Sequence, residues 1–172
     1  MKFFGILSAL LLMISAAKAE GENYRIATID MQKALQSVEA GKKAKSQLEK
    51  EFNTKKKMLQ DEETAIRKLT EEFRKQSMVL SDDAKAKKQQ EIQERIMKFQ
   101  ETTAKSQAEI QQKEAELTAP IIKNLKDVIK DLAAKKNYNV VLDKNENNVL
   151  FSNDKDDLTG DLISTFNSKH KG

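Results

Sequence analysis

The apolar positions of this chain fall into two regimes. From Lys42 to Ala119 they form a sparse seven-residue repeat: Phe52, Leu59, Ile66, Phe73 and Leu80 recur without a miss, with only Leu48 and Leu69 as apolar companions. A second stripe runs through Ile96, Thr103, Ile110 and Leu117, accompanied by Ile92, Phe99, Ser106 and Lys113. A sustained heptad predicts coiled-coil packing, and polar groups at seam positions weaken it. Lys55, Glu62 and Gln76 stand where apolar knobs are expected, so the seam reads as thin, bendable and suited to varied partners. Outside this stretch the pattern is denser. Ile121, Ile122, Leu125, Val128, Ile129 and Leu132 follow helical spacing closely and predict a helix facing a core.

The sparse region holds 78 residues with no Gly or Pro, bracketed by Gly41 and Pro120. Its Lys, Glu, Gln, Ala and Leu favour helix. One continuous helix would reach about 115 Å, and Ser81-Asp82-Asp83 offers a place to fold back. Ser81 suits an N-cap, and the two Asp suit the positive end of a helix dipole. The spacing therefore predicts two helices, roughly Ala40–Leu80 and Ser81–Ala119, in an antiparallel hairpin about 60 Å long. Its tip lies near 80–83. Pro120 is expected to kink or restart the helix and to pivot the arm.

Short strands flank this arm. Ile26–Asp30 reads as a strand that leads through a helical pattern from Met31 into the arm. After Lys135 and Lys136, Asn137 is a fair substitute for Gly beyond a helix end. Tyr138–Asp143 and Asn148–Ser152 read as two strands of a hairpin, and Leu158–Phe166 as a final helix with a frayed tail. The fold class is α+β: a small discontinuous body, 20–41 with 120–172, carrying the arm of 42–119. Three short strands make a poor sheet alone, which predicts oligomerisation through Ile26, Ile29, Val140, Val141, Leu142, Val149 and Phe151.

Residues 1–19 read as a secretory signal peptide: Lys2, an apolar run from Phe3 to Ile14, and Ala17-Lys18-Ala19 before Glu20. The alternative is a membrane anchor, but the run is shorter than the roughly 20 residues a span needs. Composition adds mostly exclusions. The absence of Cys removes disulfides and thiol chemistry. His170 is the only histidine and lies in the tail. No phosphate loop, HExxH or EF-hand pattern occurs, so no catalytic, cofactor or metal residue is predicted. In the arm 15 acidic residues interleave with 18 basic ones, the pattern of a solvated helix surface. Around the tip, Arg74, Lys75, Lys85, Lys87, Lys88, Arg95 and Lys98 outnumber the acids. This is either ordinary surface charge or attraction to anionic lipid, lipopolysaccharide or acidic polypeptides. Met78, Val79 and Leu80 are either hairpin packing or a contact patch. A net charge of +4, near +2 once two lysines leave with a signal peptide, argues against nucleic-acid binding.

Several motifs together resemble the Skp/OmpH family of periplasmic outer-membrane-protein chaperones. They are Ile26-Ala27-Thr28-Ile29-Asp30, Gly41-Lys42-Lys43-Ala44, Ala119-Pro120-Ile121, Tyr138-Asn139-Val140-Val141-Leu142-Asp143 and Asp157-Leu158-Thr159-Gly160-Asp161-Leu162-Ile163. Their order around a Gly-free arm carries the resemblance; the arm itself matches only in composition and length. The resemblance implies a jellyfish-like homotrimer whose arms enclose a cavity. It also implies a holdase that keeps unfolded outer-membrane proteins soluble in the periplasm without ATP. The competing expectation is a structural coiled-coil scaffold of the cell envelope with a folded partner.

Overall fold

A computed structural model describes residues 24–146 and 149–170. The proposed signal peptide, 1–19, lies outside the described residues. The elements in order are β1 (Ile26–Ile29), α1 (Met31–Ser37), α2 (Glu39–Gln76), α3 (Asp82–Lys135), β2 (Val140–Asp143) and α4 (Thr159–Lys169), with single 3-10 turns at Lys144–Glu146 and Asp154–Asp156.

β1 and β2 pair in parallel, Ile26 opposite Val140 through Ile29 opposite Asp143. Parallel strands need a long crossover, and here it comprises α1, α2 and α3. This is the physical reason the body is discontinuous in sequence. Ala27 and Ile29 of β1 are buried against Ala34, Val38, Leu125, Val128, Leu162 and Phe166, the centre of one small core. Thr28 is also buried; its carbonyl accepts from Leu158 N at 2.8 Å, and its hydroxyl contacts the Ser152 hydroxyl at 3.2 Å.

Local chemistry accounts for most boundaries. Asp30 caps α1 by accepting from Lys33 N at 2.7 Å. Val38 leaves helical geometry (φ −68°, ψ 148°), so the chain bends between α1 and α2. Gly41 permits the bend: a Cβ there would lie 1.7 Å from the Leu35 carbonyl oxygen. Gly41 sits inside α2, so it serves as a close-packing point. Ser81 caps α3, accepting from Ala84 N at 3.4 Å. At the far end, Asn137 is left-handed (φ 56°). Asn137 N donates to Ala134 O at 3.3 Å, and Tyr138 N to Ala133 O at 2.9 Å. These two bonds form a Schellman motif, with Asn in glycine's usual place.

Three expectations are corrected. The helix does not restart at Pro120, because α3 runs through it to Lys135. Proline inside a helix costs about 3 kcal/mol. The buried side chains of Ile121, Leu125, Val128 and Leu132 each offer about 1.5–3 kcal/mol beyond it and carry the helix on through the next turns. The second correction concerns the hairpin. Residues 149–152 form no strand, and Leu150 and Phe151 are 98% and 87% exposed. The second neighbour of β1 is instead a single bridge from Thr28 to Asp157. Third, α4 continues past Phe166 to Lys169, where the sequence predicts a frayed tail from Asn167. Lys169 donates to Asp131 at 2.5 Å, and the His170 ring packs 4.6 Å from that of Phe166.

Candidate functional site

The arm is an antiparallel pair, α2 against α3, joined by the turn 77–81. Its seam is half-buried rather than sealed. Leu59, Ile66, Leu69 and Phe73 are partly covered, Phe52 is 52% exposed, and Ile92 and Ser106 are buried. Polar residues in the seam pair across it. Lys55 Nζ donates to Glu109 Oε2 at 2.5 Å, and the Arg95 fork grips both oxygens of Glu62 at 2.7 and 3.2 Å. Lys113 lies 3.8 Å from Glu51. The hydrogen bond from Arg95 holds Glu62 below the usual carboxylate range, and the Lys55 bond does the same for Glu109. The guanidinium of Arg95 is correspondingly raised. Lys55 and Glu62 are therefore held in cross-seam contacts, whereas Gln76 is exposed at the end of α2. The heptad alone missed Glu109 and Arg95 as partners. Pairing residues equidistant from the turn would have found Arg95 for Glu62, but not Glu109, which lies about a turn and a half farther from the bend than Lys55.

Two open grooves flank this seam. The larger, about 970 Å³, is bounded by Met58, Leu59, Glu62, Arg95, Lys98 and Phe99. The smaller, about 470 Å³, has Phe52, Leu59, Thr103, Ser106, Gln107 and Ile110 among its walls.

At the turn, Met78 and Val79 are 93% and 85% exposed, while Leu80 is half-buried. Of the basic residues near it, Lys85 pairs with Asp82, Lys88 with Glu91 and Arg95 with Glu62. Arg74, Lys75, Lys87 and Lys98 are exposed and form no ion pair among the described residues.

On the sheet, alternation divides the predicted contact residues. Ile29 is buried and Val141 packs against the same core, whereas Ile26, Val140 and Leu142 point outward and are 51%, 42% and 41% exposed. Phe151 is exposed and Val149 half-buried. The C-terminal ends of both strands meet in a polar cluster. Asp157 accepts from Lys144 Nζ at 2.6 Å and from Thr159 N and Oγ1 at 2.9 and 2.5 Å. Asp30 and Asp143 both accept from Asn145 Nδ2, at 2.6 and 3.3 Å. Burial pushes the Asp157 carboxyl up, but the bonds from Lys144 and Thr159 outweigh it and leave it low. Every member has a partner, and the cluster ties the body's separate segments together. Among the described residues no set of three His, Cys, Asp or Glu could hold a metal ion, and no helix is long and apolar enough to cross a membrane.

With this geometry in view, comparisons with known proteins are specific. A model of the family described as outer membrane protein (OmpH-like) matches residues 25–166. The chain belongs to this family. It is similar to the chaperone protein Skp of Yersinia enterocolitica, 25% identical over 152 residues, covering 86% of this chain and 89% of that protein. A crystal structure of an OmpH-like protein from Caulobacter crescentus CB15 matches with a TM-score of 0.75. That match covers 99% of this chain and 93% of the other at 17% identity, so it is a likeness of fold.

Proposed function

We propose that this OmpH-like protein is a periplasmic chaperone that holds unfolded outer-membrane proteins without ATP and keeps them from aggregating before insertion. The arm carries this reading: two long helices with half-buried seams and open grooves, offering a large adaptable surface in a chain of this family. The name of the Yersinia relative supports it. We further propose cleavage of the signal peptide after residue 19, a body formed by 20–41 and 120–172, and an arm of 42–119 pivoting near Pro120.

The body is proposed to trimerise through the outward sheet face. Ile26, Val140 and Leu142 form an exposed apolar row, and a two-stranded sheet is marginal by itself. A double change, Val140→Asp with Leu142→Asp, is expected to reduce the solution mass to that of a monomer. A parent protein that is monomeric and well folded by light scattering would end the trimer reading. At the tip, the unpaired Arg74, Lys75 and Lys87 beside exposed Met78 and Val79 favour contact with acidic clients or anionic lipid headgroups.

The deciding experiment dilutes a urea-unfolded outer-membrane β-barrel into the purified protein and follows turbidity and complex mass. Suppression of turbidity at near-stoichiometric ratios, unchanged by ATP or EDTA, is the expected result. No effect on turbidity together with a stable folded partner would favour an envelope scaffold.

A further inference from the structure

Between Ala86 and Lys113, roughly 40 Å of α3, every charged side chain falls on one half of the helix cylinder. Residues projected at the helical period place Glu91, Glu94, Lys98, Lys105 and Glu109 together there. The other half carries Gln89, Gln93, Gln100, Gln107 and Gln111, interspersed with Ile96, Met97 and Thr103. In a chain with 34% charged residues, this is a sharp local exception.

A second observation concerns those amides. All five glutamines are exposed, and none of their side-chain amides hydrogen-bonds to the chain among the described residues. Gln90 and Gln112, by contrast, donate to Glu94 and Glu116 at 2.8 Å each. The uncharged half also borders the smaller groove, where Thr103, Gln107 and Ile110 face Phe52 and Leu59; the α2 wall of that groove also carries Lys55, Lys56 and Glu63, so only its α3 side is neutral. Met97, on the same half, is 53% exposed.

We propose that the uncharged half of α3, with the groove beside it, is the surface on which an extended, uncharged stretch of an unfolded outer-membrane protein lies. This rests on the chaperone reading above and assigns its contact face. An unfolded barrel strand presents peptide donors and acceptors along with alternating apolar side chains. Each glutamine offers two donors and a two-lone-pair acceptor, which can serve such a backbone in any register. Covering neutral amides that regain partners costs far less than covering charges. The neutral half of α3 therefore matches a neutral strand and disfavours segments dense in charge. A second copy of this arm fits less well, since coiled-coil docking needs a regular apolar seam. Here Ile96 and Met97 stand among glutamines.

The test uses the full trimer-competent chain and a urea-unfolded β-barrel as probe. One variant carries Gln93→Glu, Gln100→Glu and Gln107→Glu; a second carries Lys at the same three positions. A control carries Gln90→Glu, Lys105→Gln and Gln112→Glu, matching the charge change of the first variant outside the proposed strip. Helix content and solution mass are followed throughout. Both strip variants are expected to weaken barrel binding about tenfold or more, because each buries charge, with the control within about twofold of the parent. Tighter binding by the Lys variant would mean charge attraction and would overturn the proposal. So would an equal loss in the control, or no loss in either strip variant. A photo-crosslinking residue at Gln100 supplies an independent readout. Crosslinks to the barrel support the face, and crosslinks to another copy of this chain would reassign it to arm–arm packing. A parent that fails to bind the barrel at all would remove the chaperone reading itself, a distinct outcome.

Discussion

The body and the arm of this protein are held together by different physics. In the body, Leu125 and Leu162 are fully buried, Phe166 is 1% exposed, and the C-terminal ends of both strands are tied into the Asp30–Asp143–Asp157 cluster. Along the paired stretch of the arm away from its base, Ile92 and Ser106 are the buried residues named among those described, and cross-seam ion pairs recur instead. Burial is short-ranged and insensitive to salt, whereas half-exposed ion pairs are weak and screened. The body can therefore act as a fixed base while the arm remains an adaptable surface. That difference suits a molecule that must hold its own shape but not impose one on a partner.

The contrast can be broken most severely at Phe166. Phe166→Ala empties the centre of the core and is expected to cost about 3–5 kcal/mol, read as a drop in the urea midpoint. The arm's helicity should fall with it, because both arm helices are rooted in that core. Retained stability would mean that the body is not the base. Gly41→Ala acts at the junction. Its Cβ meets backbone at Leu35, so the entry of α2 must shift, and the expected loss is about 1–3 kcal/mol. A stability equal to the parent's would show that this close approach tolerates a methyl group.

Asp157→Asn probes the polar cluster, with an expected loss of about 1 kcal/mol near neutral pH. Its folded carboxyl is held below the unfolded value of 3.8. The stabilisation is therefore present above that value and is lost as pH falls through the lower folded one. Lys144 is raised by Asp157, so its contribution is present below its unfolded value of 10.5 and is lost only at more alkaline pH. Acid titrations should show a shallower fall in stability below about pH 4 for the Asn variant than for the parent. Parallel curves would mean that Asp157 carries no linkage.

The smallest change in stability is expected in the arm. Replacing Lys55 with Glu109, and Glu62 with Arg95, by leucine pairs leaves no orphaned charge and should tighten the seam. Paired replacement of this kind is often neutral or stabilising. Melting at low and high salt should show a smaller salt dependence in the quadruple variant than in the parent. If arm compliance governs capture, that variant should hold large unfolded barrels less well than small ones. Equal capture of both would make seam stiffness irrelevant.

Much of this was legible in local sequence because its causes are local. The absence of breakers from Lys42 to Ala119, the Ser81 cap and the left-handed Asn137 each act within a few residues. The neutral strip of α3 was equally readable, since helical period alone reveals it, yet the heptad count drew attention to apolar positions. The cross-seam partners of Lys55 and Glu62 needed the register of two distant helices.

What sequence alone determined is the set of elements: a strand, a long helical hairpin, a core-facing helix, a strand and a terminal helix. Tertiary structure decided how they join. Asn148–Ser152 has strand-forming composition, but β1 already pairs with β2 and receives Asp157 at its other side, so 149–152 gains no ladder. Pro120 should break a helix by local rules, and the burial of Ile121, Leu125, Val128 and Leu132 overrides it. Gly41 looks like a breaker and is instead a gap filled by the Leu35 carbonyl. In each case the deciding contact comes from another segment of the chain. Local propensities of about 1 kcal/mol yield to core contacts worth several.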